Sequence, residues 1–360
     1  MIKKLLREAL AFGARIDEID WEDTFSDVKK VCVSPEKILE YLNELVANAD
    51  KEYGERIKFT KDVPFLHAKS KFFKNTKSGV VLNDFISRIT QKPNNVVNTN
   101  DKILKSGGPH EFVYKTGLPA LRGLAYDIEN KKFYYVNTCP GAGKCIAVCY
   151  AMKGNYVRYA ASYDSMTRRL NYLLNFPDKY EEQMYEELKS LAIEHKAFKG
   201  YKPKVILRWN DSGDFFTKRY VKIAEDVMDR LQKEGYNVQS YAYTKMGDVA
   251  KDEKKFQTTF SLGGSQKELS KIDLAKRKLA EIVPKELFAD LDLMKIEDEK
   301  TLKDRIAKAY KLNIQDVLTY DEMKSMPEGE TPKWAVIVTP EDGDDAAFRK
   351  DVKKILLTLH

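Results

Sequence analysis

Between Lys204 and Ser265 the chain repeats one pattern, and that pattern restricts the fold more than any other feature. KVILRWNDSGDFF holds an apolar strand, Val205–Leu207, that ends in a polar turn with a glycine. TKRYVKIAEDVMDRLQKEG follows as an amphipathic helix. Its Tyr220, Ile223, Ala224, Val227, Met228 and Leu231 share one stripe, and Gly235 is its stop. NVQSYAYTK is a second strand, and after a polar helical stretch FQTTFSLGGS is a third. Strands that alternate with helices pair in parallel, because the helix supplies the crossover. The expected class is α/β with a parallel sheet. Its crossovers are right-handed, its loops gather at one edge, and sites lie beyond the carboxyl ends of the strands.

The chemistry-bearing residues follow strands in the same way. GLAYDIENKKFYYVNT reads as two strands around a polar turn, Glu129–Lys132, and the second, Phe133–Val136, runs into NTCPGAGKCIAVCYA. Four turns are thus expected to converge. They are the cysteine stretch after Val136, Asp211–Asp214 after Leu207, Thr244 and Lys245 after Tyr241, and Ser261–Ser265 after Phe260. Helices are expected over Arg158–Asn175 and over DKYEEQMYEELKSLAIEHK, where Tyr180, Met184, Leu188 and Leu191 share a face.

The α/β core is assigned to residues 106–265 and 331–360. Its last part holds a buried strand, Ala335–Val338, and a closing helix with Phe348, Val352, Ile355, Leu356 and Leu359 on one face. Residues 266–330 are charged and read as a helical insertion or cap without a strand. Residues 1–105 read as a helical, charge-rich accessory region closed by the polar loop KPNNVVNTND. Ser34 before Pro35 starts one of its helices, with Ile38, Leu39, Leu42 and Leu45 on one stripe. WEDTFSDVKK also has helical spacing. The N-terminal stretch is expected to be an amphipathic helix, with Ile2, Leu5, Leu6, Ala9 and Leu10 on one face, and not a signal peptide.

A 360-residue chain with 43% hydrophobic residues can bury a sizeable core, which excludes the disordered class. No apolar run approaches a membrane span, and a cytoplasmic location is expected. The net charge of +7, from 62 basic and 55 acidic residues, permits an anionic partner without demanding one.

Three of the four cysteines, Cys139, Cys145 and Cys149, fall within eleven residues. Four cysteines in a chain of this length are no disulfide framework, and clustered thiols in a reducing compartment bind metal or do redox chemistry. Thiolates select zinc, copper(I) or iron–sulfur clusters. A structural zinc would need a fourth ligand from Cys32, a histidine or a carboxylate. Cys32 reads as a small buried hydrophobe, and neither His110 nor His195 shows ligand spacing to the cysteines. A [4Fe–4S] cluster held by three cysteines keeps one iron open to a small molecule. Pro140, Gly141, Ala142 and Gly143 would let backbone amides approach such a cluster. GAGK, residues 141–144, lacks the spacing of a phosphate loop.

NTCPGAGKCIAVCYA, the RWNDSGDFF turn, SYAYTK and TPEDGDDAAFRKDV…LLTLH together resemble the phage- and plasmid-encoded gene-product-88 family, over roughly residues 117–264 and the last thirty or so. That family is in turn similar to radical S-adenosylmethionine (SAM) enzymes. The resemblance implies a partial (β/α) barrel of radical-SAM-like type, with an N-terminal helical region and a helical insertion. It implies a cluster on Cys139, Cys145 and Cys149, and SAM as a cofactor beside it. It also places Ser212, Gly213 and Asp214 where such enzymes hold the amino group of SAM. Arg208 and Asp211 are then candidates for a carboxylate and a ribose hydroxyl, with Tyr150, Tyr243, Thr244 and Lys245 lining the pocket. The spacing here is Cys-x5-Cys-x3-Cys instead of Cys-x3-Cys-x2-Cys. Val148 replaces the usual aromatic before the third cysteine, and Tyr150 follows it. These departures bear on SAM more than on the cluster.

Two functions from different classes follow. One is a radical-SAM-like enzyme of unknown substrate and electron donor, in the host cytoplasm if the gene is phage-borne. The other is a zinc- or cluster-stabilised binding protein acting on nucleic acid or on a phage or host protein. HAKSKFFKNTK interleaves Lys69, Lys71, Lys74 and Lys77 with Phe72 and Phe73, a mixture that nucleic-acid surfaces use.

Overall fold

The computed structural model describes residues 30–47, 66–67, 69–73, 75–76, 79–152, 156, 159–196, 203–292 and 295–358. The expected first helix, nearly all of WEDTFSDVKK, Lys74, Lys77 and Leu359 lie outside them. The first elements are β1 (Lys30–Val33), α1 (Pro35–Ala47), β2 (Asn75–Thr76), β3 (Gly79–Val80), α2 (Leu82–Ile89) and α3 (Asp101–Leu104). There follow β4 (Glu111–Lys115), β5 (Arg122–Asp127), β6 (Lys132–Asn137), α4 (Ala160–Asn175), α5 (Pro177–Lys196), β7 (Lys204–Trp209) and α6 (Lys218–Lys233). Next are β8 (Val238–Thr244), α7 (Gly247–Ala250), β9 (Gln257–Ser261), α8 (Gln266–Leu269), β10 (Leu279–Ile282) and α9 (Ile296–Tyr310). The last are β11 (Val317–Leu318), α10 (Tyr320–Ser325), β12 (Trp334–Val338), α11 (Asp345–Phe348) and β13 (Val352–Leu357).

Two compact units share the chain. The first takes the residues up to Val96, Thr116–Glu187 and Asn210–Val227; the second takes Val97–Lys115, Leu188–Trp209 and Met228–His360.

The first unit contains a three-stranded antiparallel sheet, ordered β1-β6-β5. The expected hairpin forms, and Asp127 closes its turn by accepting from the amide of Asn130 at 3.0 Å. Ile38 and Leu42 of α1 are buried with Phe72, Phe85 and Phe133. Because β1 pairs with β6, the N-terminal region is neither purely helical nor set apart from the cysteine-bearing part of the chain. Cys32 lies on the edge strand β1 with alternation turning it outward, so it is exposed and not a buried hydrophobe.

The second unit is built on an eight-stranded sheet, ordered β11-β12-β13-β10-β9-β8-β7-β4, in which every neighbouring pair is parallel. The chain therefore has the expected α/β class. Edges remain at β11 and β4, and no closed barrel forms among the described residues. The stripe of α6 is buried as its spacing predicts, and Gly235, at φ +80°, ends the helix with the amide of Tyr236 returning to the carbonyl of Leu231.

Three expectations fail here. Residues 266–330 are not strand-free, since β10 and β11 both join the sheet. The expected closing helix is β13, because Val352, Ile355 and Leu356 are buried in a strand flanked by partners on both sides. A strand covered on two faces loses the alternation that would have announced it. Finally, β6 is a strand of the antiparallel sheet and not of the parallel one, so the cysteine stretch does not follow a strand of the parallel sheet.

Candidate functional site

In the first unit the cysteine stretch and the 211–214 turn meet. Thr138 is buried, donates its hydroxyl to the carbonyl of Pro119 at 2.5 Å, and accepts from the amide of Asp214 at 2.8 Å. The next residue is Cys139, whose amide donates to Asn137 Oδ1 at 2.9 Å and whose sulfur accepts from the amide of Leu121 at 3.4 Å. Leu121 holds φ +59°, an uncommon conformation for a branched side chain. Two short 3₁₀ turns follow, Lys144–Val148 and Tyr150–Met152. At the far end of the loop Tyr150 donates its hydroxyl to the carbonyl of Asp211. Tyr156 donates to Asp211 Oδ2 at 2.6 Å, and the two tyrosine rings lie edge to face at 5.7 Å.

The turn is shaped by glycine at two places. Gly213 takes φ +80°, which strains any L side chain. A Cβ on Gly117 would lie 2.0 Å from Asp211 Oδ1. Asp211, Ser212 and Asp214 are each at most 3% exposed. Asp214 accepts from the amide of Phe215 at 2.7 Å, and the Ser212 hydroxyl has no hydrogen-bond partner among the described residues.

Sequence reasoning missed Arg169 on α4. It is 2% exposed and donates to the carbonyl of Gly117 at 2.8 Å and to the hydroxyl of Ser165 at 2.6 Å, with no ion pair among the described residues. A buried guanidinium held by neutral acceptors carries a desolvation cost. The available signal was an arginine on the same stripe as Tyr163, Met166, Leu170 and Leu173.

Arg208 and Lys245 belong to the second unit. Arg208 is the next-to-last residue of β7 and donates to Asp344 Oδ2 at 2.7 Å, with its guanidinium 5.2 Å from the Tyr243 ring centre. Tyr241 donates to the same carboxylate at 2.8 Å, and Ser106 Oγ accepts from the amide of Asp344 at 2.7 Å. Burial alone would raise the pKa of Asp344, but Arg208 and then Lys102 hold it below the ordinary carboxylate value. The expected carboxylate-binding role of Arg208 thus meets an internal carboxylate already in place. Asp344 was also missed, although the acid-rich TPEDGDD following a buried strand was its signal. Lys245 is half-buried after β8, and Thr244 is spent on a local turn, accepting from the amide of Met246 at 3.0 Å. Ser265 caps α8 through the amide of Glu268.

Of the lysine–phenylalanine stretch expected to meet nucleic acid, Lys74 and Lys77 lie outside the described residues, and both rings lie within them. Phe72 is fully buried, and Phe73 stacks on Phe85 with ring centres 5.9 Å apart, so these rings serve the core and are not offered to bases. Arg168 covers Phe72 at 5.2 Å. His195 also has a packing role, stacked on Phe112 with its Nε2 2.8 Å from the Tyr114 hydroxyl.

As donors, three half-buried thiols on one loop suit zinc or an iron–sulfur cluster, and an amide directed at the Cys139 sulfur is the contact that steadies a thiolate. The side chains as they stand are not gathered. Among the described residues no group of three or more His, Cys, Asp and Glu is arranged to hold a metal ion. The fit lies in donor chemistry, and a bound metal would have to draw the three sulfurs together.

The fold and this loop define an α/β protein with an open, all-parallel sheet and a three-cysteine segment fastened to a Ser-Gly-Asp turn. A family model described as gene product 88 matches residues 92–352, and the chain belongs to that family. No curated protein and no solved structure matches the sequence. Among the described residues no helix is long and apolar enough to cross a membrane.

Proposed function

We propose that the first unit carries a metal centre on Cys139, Cys145 and Cys149, an iron–sulfur cluster in the first instance, and that the chain is a radical-SAM-like enzyme working on a small molecule beside the 211–214 turn. One observation carries this reading: both ends of the cysteine loop are tied to that turn, through Thr138 to Asp214 and through Tyr150 to Asp211. A cluster, when bound, supplies one-electron chemistry. The protein's own part is to orient and shield. The Asp214 carboxylate suits an ammonium group, and the Ser212 hydroxyl, without a partner among the described residues, is a ready donor at the same place. Tyr150 and Tyr156 hold the turn in register with the thiols.

Anaerobic purification tests the reading. Brown protein with about four irons per chain is expected, falling to background in Cys139→Ala, Cys145→Ala or Cys149→Ala and unchanged in Cys32→Ala. Colourless, iron-free protein, or normal iron in Cys145→Ala, would overturn it. SAM cleavage after chemical reduction, weakened in Asp214→Ala at unchanged iron content, distinguishes the enzyme from a passive cluster protein.

A second reading is favoured by the loop's surface. Ile146, Val148, Tyr150 and Tyr159 are 47%, 37%, 49% and 53% exposed, which suits a zinc-stabilised module that docks a macromolecule, whether nucleic acid or a phage or host protein. One zinc per chain without colour would support it.

A further inference from the structure

The second unit has a cleft at the sheet edge opposite the carboxyl ends of the strands. Three segments of the sequence place basic residues immediately before a strand: Lys254 and Lys255 before β9, Lys276, Arg277 and Lys278 before β10, and Arg349, Lys350 and Lys353 around the start of β13. These segments are far apart in the chain. Because β9, β10 and β13 are adjacent and parallel, their leading segments are forced to one edge. The resulting cleft, of about 650 Å³, is lined by those eight basic side chains against two acidic ones, Asp252 and Glu253.

Several of the eight have internal partners. Lys255 pairs with Asp229 at 2.9 Å, Lys276 with Asp273 at 3.3 Å, Arg349 with Asp351 at 2.6 Å and Lys350 with Glu330 at 4.0 Å. Among the described residues the other four form no ion pair. Arg277 donates to the carbonyl of Lys251, and Lys278 donates to the carbonyls of Ala347 and Arg349 at 2.9 and 2.7 Å. Lys254 and Lys353 make no ion pair among the described residues. Ser240, 4% exposed, also lines the cleft, and its hydroxyl has no partner among the described residues. Lys254, Arg277 and Lys353, cations without an ion pair among the described residues, together with an orphaned buried donor call for an anion.

We infer that this cleft binds a run of phosphate groups. The cations come from three separated segments and so reach successive phosphates, not a single one. The aromatic residue lining the cleft, Phe256, is buried and lies beside Trp209 with ring centres 6.5 Å apart, so it offers no base-stacking face. Recognition is therefore by charge, without sequence preference. The phosphates come either from a nucleic-acid backbone or from a small polyphosphate.

Fluorescence anisotropy of the full chain with labelled dT20 tests the inference, with tripolyphosphate as competitor. Micromolar binding at low salt is expected. Four contacted phosphates would give a log–log salt slope of roughly −3, at about −0.7 per phosphate on a single strand. Lys254→Glu with Lys353→Glu should weaken binding about tenfold or more. Lys300→Glu with Lys308→Glu, two exposed α9 lysines outside the cleft, should change it less than about threefold although the net charge changes equally. Displacement of dT20 by micromolar tripolyphosphate would identify a small polyphosphate as the source, and displacement only at millimolar levels a nucleic acid. Binding of neither ligand, or equal losses in the two charge-reversed pairs, would overturn the inference.

Discussion

Asp344→Asn removes one buried charge and leaves its partner behind. The carboxylate is 3% exposed and accepts from Arg208 and Tyr241 at 2.7 and 2.8 Å, with the Tyr243 hydroxyl at 3.4 Å. An amide of the same size keeps one acceptor and loses the charge that compensates a guanidinium with 10% of its side chain exposed. Breaking a buried pair from one side costs about 3–5 kcal/mol, whereas removing both charges together is often close to neutral. Urea denaturation followed by tryptophan fluorescence measures this directly, because Trp209 and Trp334 both report on the second unit. With an m-value of about 2–3 kcal/mol/M, the midpoint should fall by roughly 1–2 M. Arg208→Met combined with Asp344→Asn should recover most of that loss, giving a coupling energy above about 2 kcal/mol. The pH dependence has a definite sign. The folded pKa of Asp344 lies below its unfolded value, so its contribution is complete above the ordinary value of about 3.9 and is lost as pH falls through the folded pKa. Asp344→Asn should lack that acid-limb component. A cost under about 1 kcal/mol, or strictly additive single and double variants, would refute the description of this pair as mutually dependent.

Other consequences are smaller and equally open to measurement. Gly117→Ala places a methyl 2.0 Å from Asp211 Oδ1, so the 211–214 turn should shift and the protein lose about 2 kcal/mol or more, read by thermal unfolding. Tyr156→Phe removes a hydroxyl donated to a carboxylate and should cost about 1.5–3 kcal/mol in the same assay. Burial pushes the Lys278 ammonium down to about 7, so the folded state binds fewer protons than the unfolded one between that pH and the ordinary lysine value. Its contribution to stability therefore rises with pH across that window, and Lys278→Gln should flatten the slope.

Local pattern was enough wherever one short segment decided its own state. The stripe on α6, its Gly235 stop, the β5–β6 hairpin and the strands β7, β8 and β9 could each be read from period and punctuation alone. The meeting of the cysteine stretch with the Ser-Gly-Asp turn is expected from strands of one parallel sheet, but β6 and β7 belong to different sheets, so that contact is set by the tertiary structure. What the sequence could not determine is what happens when distant segments become neighbours. KLAEIV and VKKILL have no clear alternation, and only partners on both flanks make them strands. Burial of Phe72, pairing of Arg208 with Asp344 and the charge gathered before β9, β10 and β13 are likewise tertiary facts. Periodicity shows which face of a segment turns inward. Which other segment meets that face depends on the whole chain folding at once.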